Sequence, residues 1–194
     1  DPADLERYPR DLERDAELAE QAGVDVLFAP PLEVMYPVEP VTTVEVRGVT
    51  ETMEGLHRPG HFQGVATVVA KLFAALRPDQ SFFGRKDHQQ LIVVRTMHRD
   101  LSFPGEVVGC PTVREADGLA LSSRNVFVAD REAALSISRG LTVAAEAVEA
   151  GERSASVLVE AVRRNLALDS VDYVTLASQH DARPLERLDR PAFL

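Results

Sequence analysis

Apolar positions along this chain fall into short runs set between charged and turn-forming stretches, and the period within the runs changes along its length. Residues 4–22 are heavily charged, with Leu5, Tyr8, Leu12 and Leu18 loosely at helical spacing. A helix is expected there, with Pro9 in its first turn or dividing it, and Gly23 as its stop. Val24 to Phe28 is a compact apolar run ending at Pro30-Pro31 and reads as a short buried strand, and Val41 to Val49 is β-rich. From His61 to Leu76 the period becomes helical: Phe62, Val65, Val68, Val69, Leu72, Phe73 and Leu76 line one face, and Arg77-Pro78-Asp79 ends it. A strand at Ser81-Phe82-Phe83, a helix from about Asp87 to Leu101 with Leu91, Val94 and Met97 inward, and a strand at Glu106 to Gly109 follow. Alternating strand, helix and strand predict an α/β chain with a parallel sheet and crossover helices. Past Pro111 the pattern gives an Ala-rich helix (about Arg131 to Ala150), a second helix (Ala155 to Leu166) and a strand (Val171 to Leu176). A domain boundary is therefore expected near residues 110–112, dividing the chain into 1–111 and 112–194.

Composition narrows the function. With 45% hydrophobic residues in 194, the chain can bury a core, and no apolar run approaches the length of a membrane span. The formal net charge of −10 opposes non-specific nucleic-acid binding, which needs excess Lys and Arg. The one cysteine, Cys110, rules out an intramolecular disulfide and fits a reducing compartment, so a cytoplasmic location is expected; Cys110 itself reads as a small apolar residue at a strand end. The chain opens Asp1-Pro2-Ala3-Asp4 without Met and closes as an apolar run begins at Pro191, which reads as a segment of a longer polypeptide.

Two stretches carry chemistry. Asp117-Gly118-Leu119-Ala120-Leu121-Ser122-Ser123-Arg124-Asn125 sets two hydroxyls, a guanidinium and an amide after a glycine, with no apolar period. Such a loop suits a phosphate chain, because hydroxyl and guanidinium donors meet its oxygens; Ser122 is equally a residue type that caps helices. Phe82-Phe83-Gly84-Arg85-Lys86-Asp87-His88-Gln89-Gln90 lies where a strand runs into a helix. Ligands of parallel sheets bind at the strands' carboxyl ends, and a helix start presents free N–H groups to an anion. His57 and His61 have the four-residue spacing of a helical metal pair, but Pro59 and Gly60 break that helix, so no metal site is expected.

Tyr8-Pro9-Arg10, Arg58-Pro59-Gly60-His61-Phe62-Gln63-Gly64-Val65, Phe83 to Gln90 and Asp117 to Asn125 occur in this order along nearly the whole chain. In that set the chain resembles the pantoate–β-alanine ligase (pantothenate synthetase) family of the nucleotidyltransferase superfamily. The resemblance implies part of a Rossmann-like parallel-sheet nucleotide-binding domain followed by a smaller α+β lid domain. It implies ATP, used with Mg2+, as cosubstrate with pantoate and β-alanine, a pantoyl-adenylate intermediate, and release of AMP and pyrophosphate. It places Gly84, Arg85, Lys86, Asp87, Val113, Leu121, Ser122, Ser123 and Arg124 at ATP and Gln90 at pantoate. Lys86, Ser122, Ser123 and Arg124 take the catalytic role on the phosphates. A homodimer is implied as well, with Val41 to Val49 and the helix from His61 as contact elements. The family's His-x-Gly-His signature does not occur in these 194 residues, and Arg85 stands where relatives often carry Glu. The expectation is a piece of such a ligase; the alternative is an inactive module that keeps nucleotide affinity and dimerisation.

Overall fold

The computed structural model describes residues 11–194, and these divide into two compact units: residues 11–42 with Ser122–Phe127, and Thr43–Leu121 with Val128–Leu194. Tyr8-Pro9-Arg10 and the first turns of the expected N-terminal helix lie outside the described residues.

In the first unit, helix α1 (Leu12–Gln21) is capped by Asp11, whose carboxylate accepts from Arg14 N at 3.0 Å. Glu13 and Asp15 set negative charge at its positive end. Gly23, at φ 82°, closes it as expected, with Val24 N donating to Ala19 O and Gly23 N to Glu20 O. The expected strand from Val24 to Phe28 does not form: the segment is irregular, and Val26 is 79% exposed. An apolar run signals a tendency to burial, but a strand also needs a ladder partner, and no described strand pairs with this one. A single helical turn, α2 (Leu32–Met35), follows Pro31.

The second unit carries α3 (Met53–His57), α4 (His61–Leu76), strand β1 (Gln80–Gly84), α5 (His88–Asp100), β2 (Glu106–Cys110), α6 (Arg131–Glu149), α7 (Ala155–Asn165), β3 (Ala177–Ser178) and β4 (Ala192–Phe193). β1 and β2 pair in parallel from Gln80↔Glu106 to Gly84↔Cys110, with α5 as the crossover, as the alternation predicts. Gly105, at φ 84°, starts β2: a Cβ there would lie 2.2 Å from Pro78 O. That close approach lets Glu106 N reach Asp79 O at 2.9 Å, which sets the register.

The main core packs Phe62, Ala66, Val69, Ala70 and Phe73 of α4 against Leu91 to Val94 and Met97 of α5. The expected stripe on α4 is rotated toward Ala66 and Ala70, small residues that permit close helix contact, and Leu76 is left exposed. Phe73 makes edge contacts with Phe83, His98 and Phe103. The β-rich Val41 to Val49 forms no strand, because turn chemistry prevails there. Gly48 takes φ 82°, its N–H donates to Glu51 Oε1 at 2.9 Å, and Thr50 Oγ1 donates to Val46 O at 2.6 Å. A second cluster joins α6 and α7 through Ala144, Ala155, Leu158 and Val162, with Leu176. Gly140 permits this approach, since a Cβ would stand 3.0 Å from Val162 O. The strand expected at Val171 to Leu176 forms only at Ala177–Ser178, where β4 supplies an antiparallel partner. No helix among the described residues is long and apolar enough to cross a membrane.

Candidate active site

The carboxyl ends of β1 and β2 define the candidate site of the second unit. Gly84 ends β1, a 3-10 turn (Arg85–Asp87) follows, and α5 begins at His88. Gly84, Arg85, Lys86 and Asp87 are all exposed. Lys86 Nζ lies 3.9 Å from Asp87 Oδ1, a loose pair that leaves the ammonium's donors to solvent or ligand. Asp87 precedes α5 without a side-chain cap bond to its first-turn N–H groups, and the 3-10 turn runs directly into the helix.

The two glutamines separate cleanly. Gln89 is buried; its Nε2 donates to Val49 O at 2.9 Å and Thr52 O at 2.8 Å, and its Oε1 accepts from Glu54 N at 3.1 Å. It ties the 49–54 turn to the first turn of α5. Gln90 is half-buried and its side-chain amide makes no hydrogen bond among the described residues, so that amide is open to a ligand. Sequence spacing alone gives no means to tell the two apart.

Gly109 is a residue that sequence reasoning missed. It pairs with Phe83 across the parallel ladder, and a Cβ there would meet Leu91 Cδ2 at 2.8 Å, Arg95 Nη2 at 3.2 Å and Arg85 Nε at 3.3 Å. Arg95 is held by donating from both Nε and Nη2 to Val107 O at 3.2 Å. His88, whose ring lies 4.4 Å from that of Phe193, has its pKa lowered by burial first and then by the charges of Arg85 and Arg95. The only sequence signal for this cluster is the helical i,i+4 step from Leu91 to Arg95.

Val113 and Leu121 are brought together: Leu121 N donates to Val113 O at 2.9 Å beside a bridge between Arg114 and Ala120, and both side chains are exposed. Arg131, at the start of α6, donates to Asp117 Oδ2 and Glu115 Oε2 at 2.6 Å each. The Arg131 hydrogen bond is the first cause of the lowered Asp117 pKa. Elsewhere in this unit, His57 stacks on Tyr173 at 5.5 Å, and Arg58 pairs with Glu54 at 2.9 Å. Burial, followed by the charges of Glu54 and Asp172, pushes the Tyr173 phenol up.

Ser122, Ser123 and Arg124 belong to the first unit. The sequence predicts irregular loop here, with helix only from about Arg131; instead a 3-10 helix, Ser123–Phe127, starts at once. Ser122 Oγ accepts from Arg124 N at 3.2 Å, the local turn bond that serine favours.

The Pantoate-beta-alanine ligase family matches residues 1–193. The chain belongs to the pantoate–β-alanine ligase family. Pantothenate synthetases of Moorella thermoacetica and Pelotomaculum thermopropionicum are 50% and 51% identical over 190 and 196 residues. These matches cover 95% and 98% of this chain, and 67% and 70% of those relatives. A crystal structure of pantothenate synthetase from Thermus thermophilus superposes with a TM-score of 0.91 at 49% identity, covering 96% of this chain and 69% of that one. A pantoate-beta-alanine ligase from Francisella tularensis, complexed with beta-gamma ATP and beta-alanine, matches at TM-score 0.66 and 29% identity over 85% of this chain and 62% of that one. The expected fold class therefore stands: the parallel pair and its crossover belong to the Rossmann-like fold of the pantoate–β-alanine ligases, and the chain is an enzyme of that type.

Proposed function

We propose that the protein condenses pantoate with β-alanine by way of pantoyl adenylate, using Mg–ATP as substrate and releasing AMP and pyrophosphate. One observation carries the reading: Gly84, Lys86, Asp87 and Gln90 cluster where β1 ends and α5 begins, the ligand-binding end of a parallel sheet. The ATP-bound Francisella relative supports the choice of nucleotide.

In this scheme a pantoate carboxylate oxygen attacks the α-phosphorus and pyrophosphate leaves with the bridging electron pair. The β-alanine amine then attacks the acyl carbon, and AMP leaves with the former carboxylate oxygen. Each step builds negative charge on phosphate oxygens. Lys86 meets it as a point charge, and Ser122, Ser123 and Arg124 meet it with hydroxyl and planar guanidinium donors. Gly84, Arg85 and Asp87 hold the nucleotide beside Lys86, while Val113 and Leu121 border it. Gln90 offers an amide donor and acceptor to pantoate. The division into a binding domain (1–111) and a lid (112–194), a homodimer, and a cytoplasmic location complete the proposal.

Isotope transfer tests the chemistry. With pantoate labelled by 18O in its carboxylate, one label per turnover is expected in AMP. Label recovered in inorganic phosphate with ADP as coproduct would show an acyl-phosphate route and refute the adenylate.

A further inference from the structure

Within the second unit, the 113–121 hairpin is joined by few bonds of its own. Arg114 and Ala120 form a bridge, Leu121 N donates to Val113 O at 2.9 Å, Glu115 N to Leu119 O at 2.8 Å and Gly118 N to Glu115 O at 2.9 Å. Leu119 is its one buried residue. A hairpin with so little apolar burial is marginal in water, so its position depends on what it leans against. That support is the first half of α6. Arg131 donates from Nε to Asp117 Oδ2 and from Nη2 to Glu115 Oε2, and Arg114 Nη1 donates to Gly118 O at 3.0 Å and to Ser138 Oγ at 3.2 Å. Asp117 Oδ1 accepts from Leu119 N at 3.2 Å, so one carboxylate both shapes the turn and takes the arginine. The base is firm: Asp130 caps α6 by accepting from Ala133 N at 2.9 Å, and the far half of α6 packs on α7. A planar guanidinium spread over two carboxylates fixes direction as well as distance, which a single exposed pair does not.

We infer that Arg131 is a positioning residue for the nucleotide: through Glu115 and Asp117 it holds the 113–121 hairpin so that Val113 and Leu121 keep their places beside ATP. The inference rests on the proposed placement of those two residues at the nucleotide. Val113 and Leu121 are 65% and 58% exposed, apolar surface that the hairpin presents and does not bury. Without the clamp the hairpin samples other positions, and ATP must order it on binding, at a cost to affinity. Arg131 itself does not touch ATP in this arrangement, because its guanidinium is engaged by the two carboxylates.

Calorimetric binding of ATP and, separately, of pantoate to the whole protein tests the inference, with amide hydrogen exchange as a readout that needs no ligand. Arg131, Glu115 and Asp117 lie at the surface, so their variants leave the core untouched. In Arg131→Met, exchange at Gly118 and Leu121 accelerates and pantoate binding stays unchanged. ATP binds about three- to tenfold more weakly, the loss from ordering one or two further groups on binding. Glu115→Gln together with Asp117→Asn also weakens ATP. The sign discriminates: deleting two negative charges near a polyphosphate strengthens binding on charge grounds alone, so weakening reports lost positioning. Combining all three substitutions brings no further loss, since both halves belong to one clamp. Unchanged ATP affinity in Arg131→Met, or tighter ATP binding in the Gln–Asn variant, overturns the inference. Unchanged exchange does so too, and so does an equal loss for pantoate, the mark of general loosening. By contrast, ADP and acyl phosphate as products of the isotope experiment, with the exchange and ATP effects as expected, would sink the adenylate scheme and leave the clamp standing.

Discussion

Replacing Gln89 and Gln90 one at a time separates a structural amide from a ligand-binding one. Methionine is close to glutamine in length and carries no hydrogen-bonding amide. In Gln89→Met three hydrogen bonds vanish, from Val49 O, Thr52 O and Glu54 N. Thr52 O still accepts from Gly55 N at 3.0 Å, so two backbone groups, Val49 O and Glu54 N, lose their partner. Each such orphan costs about 1–3 kcal/mol, and apolar burial of the methionine returns part of it, leaving a loss of roughly 2–4 kcal/mol. For a chain of this size that lowers Tm by roughly 5–15 °C. Gln90→Met breaks no side-chain hydrogen bond within the described protein and keeps the half-buried position filled by a side chain of similar length, so Tm stays within about 2 °C, the change of a substitution worth ~0.5 kcal/mol. Its effect falls on KM for pantoate, with KM for ATP little changed. Calorimetric melts of both variants and steady-state kinetics at varied pantoate and ATP decide the matter. A Gln89→Met protein that melts with the wild type would refute the anchoring role, and equal changes in both KM values for Gln90→Met would refute the pantoate contact.

Lys86→Ala is expected to lower kcat by about 10²–10³, the usual loss on removing one preorganised donor, while its exposed pair with Asp87 makes the stability change less than about 1 kcal/mol; a near-normal rate of pantothenate formation would dismiss the phosphate role. His88 carries a pKa below its ordinary 6.5. Above pH 6.5 the ring is neutral both folded and unfolded; as pH falls below it the unfolded chain takes the proton first, and stability drops until the folded pKa is passed. The Tm difference between wild type and His88→Gln should therefore shift against the wild type between about pH 7 and 5, and a folded-state pKa at or above 6.5 by NMR would contradict it. Gly105→Ala should lose about 2–4 kcal/mol in urea melts, because a positive φ and contact with Pro78 O act together; an unchanged midpoint would show that the turn relaxes freely.

Local signals in the residue order were enough for several elements. The helical period from His61, the Gly23 stop of the N-terminal helix, and the strand–helix–strand alternation around α5 all formed, because φ restrictions and amphipathic faces act within a few residues. The ordered motifs likewise sufficed to indicate the family. Partners distant in the chain decided the rest. Val24 to Phe28 and Val171 to Leu176 have strand-like composition, yet a strand exists only where another backbone completes its ladder, as Phe193 does for Ala177. Gln89 and Gln90 are identical in sequence terms, and only the packing of the 49–54 turn against α5 makes one an anchor and leaves the other open. The convergence of Arg85 and Arg95 depends on the parallel register that sets Gly109 beside Phe83, a relation between residues far apart in the chain that no local pattern encodes.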